Sequence, residues 1–245
     1  MDLTLFKRPA FSGSLAANTV SIFAVFGMFL FTAQYFQLVL GFSPMETGVW
    51  MLPTSAGFIA GSMLTPLLRK FIIPRWIMFV NLLLASAGFG LLTLIQFFDG
   101  LFVLLLGSIL YSLSTSIVIT LGVDLIVGTV PPERTGAASG ISETSTELGG
   151  ALGIAILGSI GTAIYTTAMK AVNLESYPSA AAKAARGTFG AAMELASKYP
   201  QTDNQQLTTA ASIAFSDAFV INAGISAMLL FVMAWASLYL LRSVR

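Results

Sequence analysis

The chain has 245 residues, 56% of them hydrophobic, only 9% charged, with a net charge of +1. A protein of that composition lacks the polar surface to close over a core in water, so its solvent is largely lipid. With no cysteine and no histidine, disulfides, thiol nucleophiles and the commonest general base and transition-metal ligand are absent.

Met1–Ser12 carries Lys7 and Arg8 ahead of an apolar run too long for a signal-peptide core. The first helix is therefore expected to act as its own uncleaved insertion signal. A bilayer core about 30 Å thick needs roughly 20 apolar residues in a helix. Six stretches meet that length: Ser14–Leu40, Thr47–Leu68, Trp76–Phe98, Leu101–Val127, Ala137–Ala163 and Ala214–Leu241. Short turn-forming connections join the first five: GFSPME, RKFIIPR, Asp99-Gly100 and PPERTG. The exception is the stretch Thr166–Ile213, whose alanine-rich middle, Pro178–Tyr199, reads either as a surface helix or helical hairpin or as a loosely ordered loop. The fold class expected is an all-α membrane protein with six transmembrane helices. Lys7, Arg8, Arg69, Lys70, Arg75, Arg134, Arg242 and Arg245 fall on one side if the N-terminus lies in the cytoplasm. The positive-inside rule then puts both termini there, with the long loop outside. Trp50 and Trp76 fall near opposite membrane interfaces.

Charges inside a span are costly and mark function. The fifth helix holds Glu143 and Glu147, four residues apart and so on one face. Glu147 lies close to the bilayer midplane, where a carboxylate is the group expected to gain and lose a proton; structural hydrogen bonding is the alternative. Gly149 and Gly153, on a different side, form a small-xxx-small pair suited to close helix packing. The fourth helix carries a polar stripe of Ser108, Ser112, Thr115, Ser116, Thr120 and Asp124. It reads equally as the wall of a water-lined cavity, with Ser112, Thr115 and Ser116 at its centre, or as interhelical hydrogen bonding. Asp124 is either a proton acceptor near the cytoplasmic end or a snorkelling interface residue. On the first helix, Gln34 and Gln37 have little reason to face lipid and are cavity candidates. The aromatics Phe23, Phe26, Phe29, Phe31, Tyr35 and Phe36 either pack or line a pocket for a flat cation. Pro53 and Pro66 interrupt the second helix, as in the bent helices of transporters. No phosphate-binding loop, HExxH or nucleophile–base pair occurs, and no basic run could follow a nucleic-acid backbone. No enzyme, metal, cofactor or nucleic-acid partner is expected.

Three stretches carry a resemblance. They are Leu40-Gly41-Phe42-Ser43-Pro44-Met45-Glu46-Thr47-Gly48, Val130-Pro131-Pro132-Glu133-Arg134-Thr135-Gly136-Ala137-Ala138-Ser139-Gly140, and Glu147-Leu148-Gly149-Gly150-Ala151-Leu152-Gly153-Ile154-Ala155. Together with the entry Asp2-Leu3-Thr4-Leu5-Phe6-Lys7 and the long outer loop, they make nearly the whole chain similar to the C-terminal half of a major facilitator superfamily transporter. The similarity is to the fourteen-helix drug:proton antiporter branch of EmrB/QacA type. It implies one six-helix domain over 1–245, one half of a bundle in the cell membrane, and alternating access. It also implies efflux of lipophilic or cationic small molecules in exchange for protons, with Glu147 and Glu143, in the family's acidic next-to-last helix, as coupling residues; Asp124 is a further coupling candidate by its position alone. The partner implied is an N-terminal half or a second copy of the chain. One departure is the loop Pro66-Leu67-Leu68-Arg69-Lys70-Phe71, which lacks the aspartate of the family's gating motif. The other is length, about half that of a complete transporter. These departures keep open a second reading, a non-transporting membrane module or fragment that assembles with or regulates another transporter.

Overall fold

In the computed structural model, residues 3–199 and 204–242 are described, and among them every regular element is helical. Six helices are long and apolar enough to cross a membrane. We label all eight α-helices in chain order: α1 (Pro9–Gln34), α2 (Pro44–Leu68), α3 (Pro74–Leu92), α4 (Gly100–Gly128), α5 (Thr135–Met169), α6 (Ser179–Gly187), α7 (Phe189–Lys198) and α8 (Gln205–Leu240). The spans are α1 to α5 and α8.

Local chemistry sets the helix ends. The last turn of α1 widens into a π-helical turn, Tyr35–Val39, closed by Leu40 N–H donating to the Tyr35 carbonyl at 3.0 Å. Gly41 then reverses the chain at φ +74°, a conformation that glycine adopts without steric cost. Ser43 and Glu46 form a capping box that opens α2, satisfying backbone donors at both ends of the motif. Pro53 and Pro66 lie inside α2, which runs through both. The third span is shorter than expected, ending at Leu92 rather than Phe98. The Thr93 hydroxyl donates to the Gly90 carbonyl at 2.7 Å, and the backbone tightens into three-residue turns as far as Phe97. Such a side-chain bond competes with the helical ladder. Asp99 restarts the helix by accepting from the Leu101 and Phe102 amides at 3.0 and 3.1 Å. The long connection is shorter than expected because α5 runs on to Met169 and α8 begins at Gln205. Its alanine-rich part folds into the α6–α7 hairpin.

The spans form an arc in the order α2, α4, α3, α8, α5, with α1 in the middle, packed on α4, α8 and α5. Glycine permits the closest approaches. A side chain at Gly153 would overlap the Phe23 carbonyl of α1, and a Cβ at Gly149 would lie 2.8 Å from the Thr19 carbonyl. Gly88 of α3 and Gly107 of α4 meet reciprocally, each 2.9–3.0 Å from the other's carbonyl oxygen if given a Cβ. Trp76, Phe79, Phe231 and Trp235 make an edge-to-face series along the outer seam of α3 and α8. Trp76 and Trp235 are exposed there, as residues facing lipid.

The α6–α7 hairpin is tied to the bundle by polar side chains. The Tyr165 hydroxyl of α5 donates to the Ala185 carbonyl at 3.0 Å, and Arg186 donates to the Val172 carbonyl at 3.1 Å. Asn204 donates to the Ala196 carbonyl at 2.7 Å and accepts from the Tyr177 hydroxyl at 2.5 Å. On α7, the Lys198 ammonium sits 2.6 Å from Glu194 and holds its carboxyl below the usual range.

The packing yields a prediction. Gly153→Val forces backbone against backbone at the α1–α5 crossing, and overpacking of this kind costs about 1–3 kcal/mol. The thermal unfolding midpoint in detergent should fall, whereas Gly158→Ala, with open space above the helix, should leave it unchanged.

Candidate functional site

The two carboxylates of α5 lie on a flank that no other element covers. Glu143 and Glu147 are both exposed, and neither makes an ion pair or hydrogen bond among the described residues. Glu147 stands twelve residues into a 35-residue helix, about 18 Å from its start at 1.5 Å per residue. The side of α5 that carries Gly149, Gly153 and Leu157 is buried. At 3.6 residues per turn, Ile154, Gly158 and Tyr165 all fall within about 20° of the azimuth of Glu147. Ile154, Gly158 and Tyr165 line a hollow whose other wall is Leu30, Phe31 and Gln34 of α1. The carboxylate flank of α5 therefore looks toward the exposed side of α1, where Phe26 and Leu30 also lie open.

That hollow measures about 480 Å³ and is roofed by Gly187, Thr188 and Phe189 at the α6–α7 joint. Its back wall is a pile of rings. Phe31 and Phe215 stack at 5.9 Å, Phe215 and Phe189 at 5.0 Å, and Tyr165 tilts against Phe189 at 6.4 Å. Gln34 faces this space; Gln37, one turn further along, is exposed and does not line it. Among the other aromatics of α1, Tyr35 and Phe36 are buried packing residues.

A second, smaller hollow of about 170 Å³ lies between α1, α2 and α4. Ser112 and Thr115 line it together with Phe29 and Thr32, while Ser116 does not. The polar stripe of α4 spends its hydroxyls on helix backbone. Ser112 and Ser116 donate to the Thr54 and Phe58 carbonyls of α2, both at 2.6 Å. Thr115 donates to the Tyr111 carbonyl of its own helix at 2.7 Å. Their spacing of four thus matches successive turns of α2 and clamps the two helices.

Asp124 sits at the far end of the stripe and pairs with Arg69 at 2.8 Å, both side chains about half exposed at 47% and 42%. Arg69, at the start of the loop after α2, thus meets a carboxylate of α4, fifty-five residues away in sequence. Nearby, Arg8 donates to the Thr129 carbonyl, tying the start of α1 to the end of α4. At the hairpin end, Gln96 donates to Asp217 at 2.9 Å. No group of three or more acidic residues that could hold a metal occurs among the described residues.

The family model described as Major Facilitator Superfamily matches residues 3–154. The chain belongs to the major facilitator superfamily. It is 34% identical over 230 residues to the multidrug efflux pump LfrA of Mycolicibacterium smegmatis, covering 94% of this chain and 45% of that protein. It is 31% identical over 254 residues to the methyl viologen resistance protein SmvA of Salmonella typhimurium, covering 97% of this chain and 48% of that one. A shorter match, 33% over 160 residues, joins it to the multidrug resistance protein Stp of Mycobacterium tuberculosis. The chain spans about half the length of the first two relatives. As a superfamily member with six spans, it is a multi-pass protein of the cell membrane.

Two features of this superfamily member were not visible in its sequence. One is the Arg69–Asp124 pair, whose partners lie in separate spans. The other is the ring-walled hollow, assembled from α1, α5, α7 and α8. Its α1 wall, Phe31 and Gln34, was legible as a pocket candidate, but the walls from α5, α7 and α8 were not.

The exposed ion pair yields a second prediction. Half-exposed pairs contribute about 0.2–1 kcal/mol. A double-mutant cycle of Arg69→Gln and Asp124→Asn, read by thermal unfolding, should give a coupling in that range. A coupling above about 2 kcal/mol would mean that the pair is desolvated.

Proposed function

We propose that the chain is the C-terminal half of a proton-coupled exporter of lipophilic or cationic small molecules, of the fourteen-helix EmrB/QacA type. Both termini and the basic side of the bundle lie in the cytoplasm, and the α6–α7 hairpin lies outside. The missing wall of the cavity comes from an N-terminal half or a second copy. Glu147 carries the coupling proton, with Glu143 one turn nearer the cytoplasm. Protonation removes charge from the cavity and releases a bound cation; deprotonation restores the attraction.

One observation carries this reading: two carboxylates on an uncovered flank of a spanning helix, with no cation beside them. Hydrocarbon is a poor neighbour for an ionised carboxylate. That flank must therefore face water or a second protein half, which is where the inverted or parallel halves of transporters form their sites. The relatives support this reading: LfrA is a multidrug efflux pump, Stp a multidrug resistance protein and SmvA a methyl viologen resistance protein. The Arg69–Asp124 pair also weakens the case for a non-transporting module, since the loop after α2 keeps an acid–base contact at its base. Asp124, engaged by Arg69, serves the proposed cycle as a contact that opens and closes rather than as a proton carrier.

The test is proton movement in vesicles containing the chain together with its candidate N-terminal half. With an inside-acid gradient, ethidium should dissipate the gradient in wild type. Glu147→Gln should reduce that response to background while leaving membrane insertion intact. Unchanged ethidium-driven proton movement in Glu147→Gln would sink the assignment.

A further inference from the structure

Beneath the α6–α7 hairpin lies a hollow, open on its α1–α5 flank, whose walls and roof come from this chain. We infer that it is a binding site for flat polycyclic aromatic molecules, neutral or singly cationic, that holds substrate at the hairpin end of the carboxylate flank. The inference rests on the export function proposed above and adds to it a second station, separate from Glu147.

Size and walls both point to a small molecule. A volume of about 480 Å³ lies within the roughly 300–1,000 Å³ of small-molecule sites, which are mostly apolar with a few placed polar groups. The ring pile of Phe31, Phe215 and Phe189 provides an aromatic back wall, suited to stacking or to a delocalised cation. The Gln34 amide and the Thr162 hydroxyl line the same space and make no hydrogen bond among the described residues. They are free to meet a carbonyl, hydroxyl or amine on the ligand. No charged side chain lines the hollow, so it selects for flatness and apolar area rather than for charge.

Glycine keeps the space open. Gly158, Gly187 and Gly190 all line it, and a Cβ at any of the three would meet nothing within 4 Å. These glycines are not demanded by helix contact, unlike Gly153. Their effect is to leave a volume that side chains would otherwise fill. The hollow is also continuous with the carboxylate flank. Gly158 follows Glu147 by eleven residues on nearly the same azimuth, about 16 Å along the helix. A molecule leaving the carboxylates toward the hairpin end meets this site next. The roof is held by the Tyr165–Ala185 hydrogen bond, so the joint at Gly187–Thr188 covers the site.

The experiment is equilibrium binding of ethidium to the full chain in nanodiscs, read by fluorescence anisotropy. Gly158→Leu fills the hollow from a helical position with room for the side chain and should weaken binding at least tenfold. Thr162→Trp, an independent filling variant, should do the same if Gly158→Leu lowers the yield of folded protein. Gly90→Leu, on α3 and also in open space, should bind as wild type. Wild-type affinity in both filling variants would overturn the site, as would absence of ethidium binding to the wild-type chain. Loss of binding in Glu147→Gln with full binding in Gly158→Leu would put the ligand at the carboxylates. That result would overturn this inference while leaving the proposed export function standing.

Discussion

Lipid cannot solvate an ionised carboxylate, and the arrangement of this bundle follows from that constraint. Several neutral polar groups in the spans find partners within the chain: Ser112 and Ser116 reach the backbone of α2, Thr65 and Asn81 bond back to their own helices, and Asn222 donates to the Leu157 carbonyl. Glu143 and Glu147 do not. Their flank is left open, while the opposite side of α5 is drawn against α1 by Gly149 and Gly153. A helix that is glycine-packed on one side and acidic on the next is oriented by both at once. The tight side fixes rotation, and rotation fixes where the carboxylates look.

The two ends of the bundle are built differently. At the basic end, polar groups link the ends of neighbouring spans through Arg69 to Asp124 and Arg8 to Thr129. The pair is exposed enough to be weak, which suits a contact that must break and reform. At the other end, aromatic stacking and hydrogen bonds to backbone carbonyls hold the α6–α7 hairpin over the ring-walled hollow. Stacked rings and hydroxyl-to-carbonyl bonds are insensitive to pH near neutrality. In the proposed cycle, charge therefore acts at the middle and the basic end, and shape acts beneath the hairpin.

Much of the fold was legible because the bilayer imposes length and apolarity on each span. All six spans could be read off the hydropathy, including α5 despite its two acids. The ends were less legible where hydrogen bonds, not hydropathy, decide them. Apolar residues continue past Leu92 to Phe98, yet the Thr93 back-bond and the Asp99 cap end one helix and start the next. The π-turn at Tyr35–Val39 leaves no mark in the sequence. In the site, spacing alone identified the shared face of Glu143 and Glu147 and the different side of Gly149 and Gly153. It could not say whether the α4 stripe faced water or another helix, because four-residue spacing serves both. Nor could it join Arg69 to Asp124, or Phe31 to Phe189 and Phe215, since those contacts exist only after the helices cross.

The central claim, that the acidic flank of α5 faces water within the membrane, can be tested with a single thiol because the natural chain has no cysteine. Glu147→Cys, co-expressed in membranes with the proposed N-terminal half, should react with a water-soluble, charged thiol reagent, and ethidium should slow the reaction. Trp235→Cys, on the lipid-facing seam, should stay unreactive. If position 147 is as unreactive as position 235 in the assembled, folded protein, the flank faces lipid or buried packing, and the account is wrong.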